Sequence, residues 1–409
     1  MDLILRNARM IGAEQEPTDI GIEGGRIAVI QQQLAADGET IDLGGRLVSS
    51  GLIETHIHLD KSCILDRCRA EKGDLEEAIE EVARAKKGFT PEDVYARAKK
   101  TLEKSILNGT THMRTQLEVD PGIGLRGLEG VRRLVEEYRW AIDIEICIFP
   151  QEGLLNNPGT DELMVEALKN GGSVVGAAPY TDSNPHGQID RIFAMAREFD
   201  IDIDMHLDFA PSADNLDLLY VCEQTEKFNY GGRVAIGHVT KLSAAAPDLL
   251  ARCGKRMADA GVALTVLPST DLYLMGRHQD HSVMRGVTPS HRLLHHGVNC
   301  SLYTGRDQPP DNIRLDCLAY TRTEGDDHLI DLTIVAHTTG KFMSDANGDW
   351  PEAHGWTNVA LFARPTVIDG GGVVLHRQHP GPGATNNLVV LISVNASRAG
   401  EPPSAAKWH

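Results

Sequence analysis

The chain has 409 residues, of which 41% are hydrophobic, 24% charged and 5% aromatic, with a formal net charge of −18. The acidic excess excludes a nucleic-acid partner and an anionic membrane surface, both of which would repel it, and few aromatics remain for stacking on bases. The length suits one large domain with a small satellite, and no apolar run approaches the ~18 residues of a membrane span. The opening MDLILRNARMIG lacks the basic, apolar and small-residue succession of a secretion signal. Seven scattered cysteines form no CxxC pair, so reduced thiols and a cytoplasmic setting are expected.

Residues 1–50 read as short strands separated by turns. Leu3-Ile4-Leu5 is a strand core, Gly24-Gly25 turns into Arg26 to Ile30, and Gly44-Gly45 turns into Arg46-Leu47-Val48. From Leu52 onward strand and helix alternate. Strands are expected at Leu52 to His58, Thr111 to Val119, Ile142 to Phe149 and Val174 to Ala178. Four more follow at Asp202 to Asp208, Val234 to His238, Ala263 to Leu267 and Cys300 to Tyr303. Helical runs lie between them, among them Leu75 to Lys87, Pro91 to Asn108, Gly127 to Tyr138, Asp161 to Asn170 and Gln188 to Phe199. Eight such units in about 250 residues match a TIM-type (β/α)₈ barrel with a small N-terminal β layer, an α/β fold whose active site lies at the C-terminal strand ends. A doubly wound sheet is the alternative, but no GxGxxG follows the first strand.

Histidines stand where such a barrel places its chemistry. His56 and His58 are two residues apart at the end of a strand, so both side chains point the same way. Neutral imidazole is a ligand for zinc, iron or nickel, although two hydrogen-bonded structural histidines would show the same spacing. His206 and His238 end two later strands, and the C-termini of barrel strands converge on one pocket. His278, His281, His291, His295 and His296 fall in a polar loop and the helix after it, where solvated positions are expected.

The segment His56-Ile57-His58-Leu59-Asp60-Lys61 resembles the HxHxDK pattern of the amidohydrolase superfamily, in the branch of cytosine deaminases and N-isopropylammelide amidohydrolases. The likeness continues in order through His112 to Thr115, Phe149 to Gly153, Val174 to Ala177, Asp204 to Asp208, Gly232 to Thr240 and Leu274 to Arg277. It implies that His56, His58 and His206 ligate one divalent metal ion, zinc or iron. His238 matches the histidine that contacts the water or the substrate at that metal, and Gln151 the glutamine that hydrogen-bonds a cyclic amide or amidine edge. The strand Val174 to Tyr180 carries no lysine to be carbamylated, which favours a single metal.

The chain also departs from that pattern. Phe209 stands where cytosine deaminases carry a proton-shuttling glutamate, with Asp208 beside it, and Gln116 replaces a histidine. On the eighth strand the aspartate that serves as metal ligand and general base falls by counting on Gly305. Asp307, two residues further, is the expected substitute for both roles. Beyond Tyr303 the likeness ends, through divergence or a shift of reading frame. The expected organisation is residues 1–50 as the β layer, completed by part of the C-terminus, 51–345 as a metal-dependent hydrolase barrel, and 346–409 as an atypical tail. The expected function is hydrolysis of a C–N bond of a small, cyclic nitrogen-containing molecule, by deamination, dealkylamination or ring opening. A catalytically silent relative that binds metal or a small molecule is the alternative. The partner expected is a small-molecule substrate, with self-association left open.

Overall fold

The computed structural model describes residues 1–10, 13–48, 50–69, 71–302, 313–324, 327–338 and 357–360. Met1–Gly51 belongs to one compact unit and residues 52–302 to a second. The first is a mixed sheet of β1 (Leu3–Met10), β2 (Ala13–Glu23), β3 (Arg26–Gln31), β4 (Glu39–Asp42) and β5 (Leu47–Val48). Its order is β3-β2-β1-β4, with β5 also on β1. Gly24 and Gly25 have φ of +58° and +73°, the left-handed pair that a tight β2–β3 hairpin needs. Asp19 anchors the layer: its carboxylate accepts from Arg6 at 2.7 Å and from the amides of Asn7 and Leu34 at 3.0 and 2.9 Å.

The second unit contains eight parallel strands: β6 (Leu52–Ile57), β7 (Thr110–Glu118), β8 (Asp143–Phe149), β9 (Val174–Ala177), β10 (Asp202–Leu207), β11 (Val234–His238), β12 (Val262–Val266) and β13 (Cys300–Leu302). They are hydrogen-bonded in chain order from β6 to β13. The two ends of that series meet, because the hydroxyls of Thr55 in β6 and Ser301 in β13 lie 3.0 Å apart. This is the expected (β/α)₈ barrel, separate from its small β layer.

Helices cover the outside: α1 (Leu75–Ala85), α2 (Pro91–Leu107), α3 (Arg126–Tyr138), α4 (Thr160–Lys169), α5 (Pro185–Phe199), α6 (Asp217–Lys227), α7 (Pro247–Ala260), α8 (Pro268–Leu274) and α9 (Ser290–Leu294). Their apolar stripes follow the helical period, so α3 buries Leu128, Val131 and Leu134 against the strands. Within the sheet, β9 is buried along its whole length, as a strand covered on both faces must be. Gly176 is required there: a Cβ would stand 2.5 Å from the Asp204 carbonyl oxygen and 2.9 Å from Phe149 Cβ.

Further on, β14 (Ile313–Glu324), β15 (Asp327–Thr338) and β16 (Thr357–Ala360) form a third sheet in that order. Among the described residues no helix is long and apolar enough to cross a membrane, and Cys63, Cys68, Cys147, Cys222, Cys253 and Cys300 are free thiols.

Candidate active site

Three of the predicted histidines come together at the C-terminal ends of their strands. His56 and His58 leave the end of β6, and His206 is near the end of β10; all three are buried. One ring nitrogen from each lies within 4.8 Å of the others. The Nε2 atoms of His58 and His206 are 3.3 Å apart. Two nitrogens ~2.0–2.1 Å from a tetrahedral zinc ion would be separated by about that distance, so the donor set fits a metal. Phe149 braces the group, its ring stacked on His206 at 4.5 Å and 14°.

Electrostatics agree with geometry. Burial first, then the neighbouring imidazoles and the Lys61 ammonium, push all three histidines well below the ordinary imidazole range. They are neutral at pH 7, the state in which imidazole binds metal.

His238, at the end of β11, joins the same cluster. Its ring centroid is 5.6 Å from that of His56 and 5.5 Å from that of His206. Its Nδ1 lies 2.7 Å from Asp271 Oδ1, a carboxylate fully buried in α8. Burial pushes that carboxyl up, opposed by His238. The backbone here is strained: His238 has φ +66° and the β-branched Val239 φ +50°. Such left-handed conformations cost on the order of 1–3 kcal/mol each. The buried Thr288 hydroxyl holds them, 2.8 Å from both carbonyl oxygens. Asp271 and Thr288 escaped the sequence reading because they lie 33 and 50 residues from His238. Neither sits in a motif, and only the barrel brings them together.

Gln151 is buried two residues beyond Phe149, beside the hydroxyl of Tyr180. The Tyr180 ring is 6.5 Å from that of Phe209, which meets His238 edge-on at 5.3 Å and 80°. One wall of the site thus runs from the Gln151 amide through two aromatic rings to His238. Asp208 is no stand-in for a carboxylate at the Phe209 position. With φ +51° it turns away, its carboxylate accepting from the amides of Asp217 and Leu218 at 3.0 and 2.9 Å and pairing with Lys241. Asp307 lies outside the described residues. His278 and His281 are exposed, as expected.

A second trio, Glu118, Asp120 and Glu152, also has oxygens within 4.8 Å of one another. The chain supplies its own cation there. Lys86 Nζ is 3.1 Å from Glu118 and 2.5 Å from Asp120 and also contacts Glu152, while Lys61 pairs with Glu118 at 2.6 Å. Burial opposes the charge on Lys86, yet these carboxylates hold it above the usual lysine range.

A model of the Amidohydrolase family matches residues 47–325, more than half of the chain. The N-isopropylammelide isopropyl amidohydrolase of Pseudomonas sp. strain ADP is 30% identical over 245 residues, 58% of this chain and 60% of that protein. The chain therefore spans only about three-fifths of this curated relative. The crystal structure of 5-methylcytosine deaminase from Klebsiella pneumoniae superposes with a TM-score of 0.69 at 27% identity, over 73% of this chain and 74% of that one. N-isopropylammelide isopropylaminohydrolase from Burkholderia multivorans gives 0.64 at 26% identity, over 74% of each chain.

Proposed function

Because the chain belongs to the Amidohydrolase family, we propose that it is a metal-dependent hydrolase that cleaves a C–N bond of a small, cyclic nitrogen-containing molecule. The observation that carries this reading is the buried trio His56, His58 and His206, with ring nitrogens within 4.8 Å of one another at the mouth of the barrel. They would hold one divalent ion, zinc or iron. When bound, it supplies Lewis acidity, which lowers the pKa of water toward ~7 and polarises the electrophilic carbon.

His238 handles the proton: a water oxygen bonds to carbon, the C–N bond breaks, and the nitrogen leaves as ammonia or amine with the proton it needs. Gln151 offers an amide donor and acceptor to the edge of the ring. Asp307 is assigned the carboxylate that assists the metal and accepts the water's proton. Phe209 replaces an ionisable side chain by an apolar one beside His238, so that wall suits an uncharged ring or substituent. The net charge of −18 supports a small-molecule partner over nucleic acid, and six free thiols support a cytoplasmic setting.

The test is release of ammonia or amine from a panel of pyrimidines, triazines, pterins and N-alkyl amides by zinc- or iron-loaded protein. Turnover that a chelator abolishes supports the reading. Metal-loaded protein that turns over none of the panel favours the silent relative.

A further inference from the structure

We propose that Asp271 is a positioning residue that holds His238 in the tautomer with its proton on Nδ1, leaving Nε2 as the lone-pair nitrogen turned into the site. The inference rests on the reading of His238 as the proton-handling group. Its own basis is the 2.7 Å contact from His238 Nδ1 to Asp271 Oδ1, made where both side chains are buried. An ionised carboxylate has no hydrogen to give, so in this contact it accepts and the proton lies on the ring nitrogen. The two ring nitrogens point in nearly opposite directions, and fixing one fixes the role of the other. An imidazole with a bare Nε2 can take up a proton within the site and pass it to a leaving nitrogen. The opposite tautomer can only donate there.

A second, independent feature points the same way. His238 and Val239 both adopt left-handed backbone, at φ +66° and +50°, where side chains rarely settle. The turn is clamped by the buried Thr288 hydroxyl, 2.8 Å from each of their carbonyl oxygens. Backbone held in a costly conformation by a dedicated clasp belongs to a ring whose direction matters. The carboxylate comes from α8, after β12, and the clasp from the loop before α9, so one segment holds the ring of His238 and another its backbone. Asp271 is fully buried, and its side-chain hydrogen-bond partner is His238.

The test uses the zinc-loaded full chain. Ring-nitrogen NMR spectra, with His238→Gln to assign the signal, are expected to show the His238 proton on Nδ1 and none on Nε2. In Asp271→Asn the amide keeps the size but can donate to Nδ1, so the signal is expected to move to the Nε2-protonated form. On a substrate found by the panel, kcat should fall between about 10- and 100-fold, with KM and zinc content unchanged. A parent protein already protonated on Nε2 would overturn the proposal, and so would an Asn variant with parental tautomer and kcat. If the parent turns over nothing, the functional reading fails, while the parental spectrum still decides the tautomer. That spectrum also decides it should the Asn variant not fold.

Discussion

His206 has the burial and the neutral ring that its proposed role as a metal ligand requires. Its ring is buried and stacked on Phe149 at 4.5 Å, and burial together with its neighbours keeps it neutral. His56→Ala is expected to remove the bound ion, as elemental analysis of the purified variant would report, while leaving the barrel folded. Gln151→Ala should retain the metal and raise KM by about tenfold, the value of one lost hydrogen bond to substrate. An unchanged KM would remove Gln151 from the substrate site. The histidines stood out in the sequence because period-two spacing and strand ends place them without help from distant residues, whereas Gln151 was marked only by the family resemblance. Asp271 was not readable, since an aspartate early in a helix is ordinarily a response to the helix dipole and carries no mark of the histidine it meets.

At the level of elements, the eight barrel strands were found to within one residue at each end, whereas β1 and β2 run well beyond the short apolar cores read for them and β14 to β16 were not anticipated. α2 starts where Pro91 was expected to open it, Thr90 capping it by accepting from Asp93 N at 3.2 Å. What escaped was the use of charges between elements. In the segment joining β6 to β7, Lys86, almost fully buried, reaches Glu118 at the end of β7, Asp120 just after it and Glu152 after β8. Lys86→Met should destabilise the protein by about 3–5 kcal/mol in urea unfolding, because it leaves the buried Asp120 without its cation and Glu118 with Lys61 alone. A loss under 1 kcal/mol would mean those carboxylates find another partner. Asp208 likewise belongs to an element and not to the site, since it receives the first amides of α6. No pattern in the chain distinguishes such an anchor from an acid catalyst.

For the whole molecule, the depressed histidines set a pH dependence. In the metal-free protein they stay neutral when folded and take up protons once unfolded, so the unfolded state binds more protons below the free imidazole value. Stability is then complete above pH ~6.5 and falls as the pH drops below it. A second loss follows further down, as Asp93, held at about 2 chiefly by Arg67, is protonated between its unfolded value of 3.8 and that pH. Urea unfolding at a series of pH values checks both steps; a flat profile from pH 7 to 5 would contradict the first. Metal reverses part of that loss, adding about 2.7 kcal/mol at a free concentration 100 times its dissociation constant. The central claim, one metal held by His56, His58 and His206, is tested most directly by calorimetric titration of zinc into chelator-stripped protein. The account predicts one tight site per chain in the parent and none in folded His206→Ala. A parent that takes up no zinc, iron or manganese, or a folded His206→Ala that binds as the parent does, would contradict it.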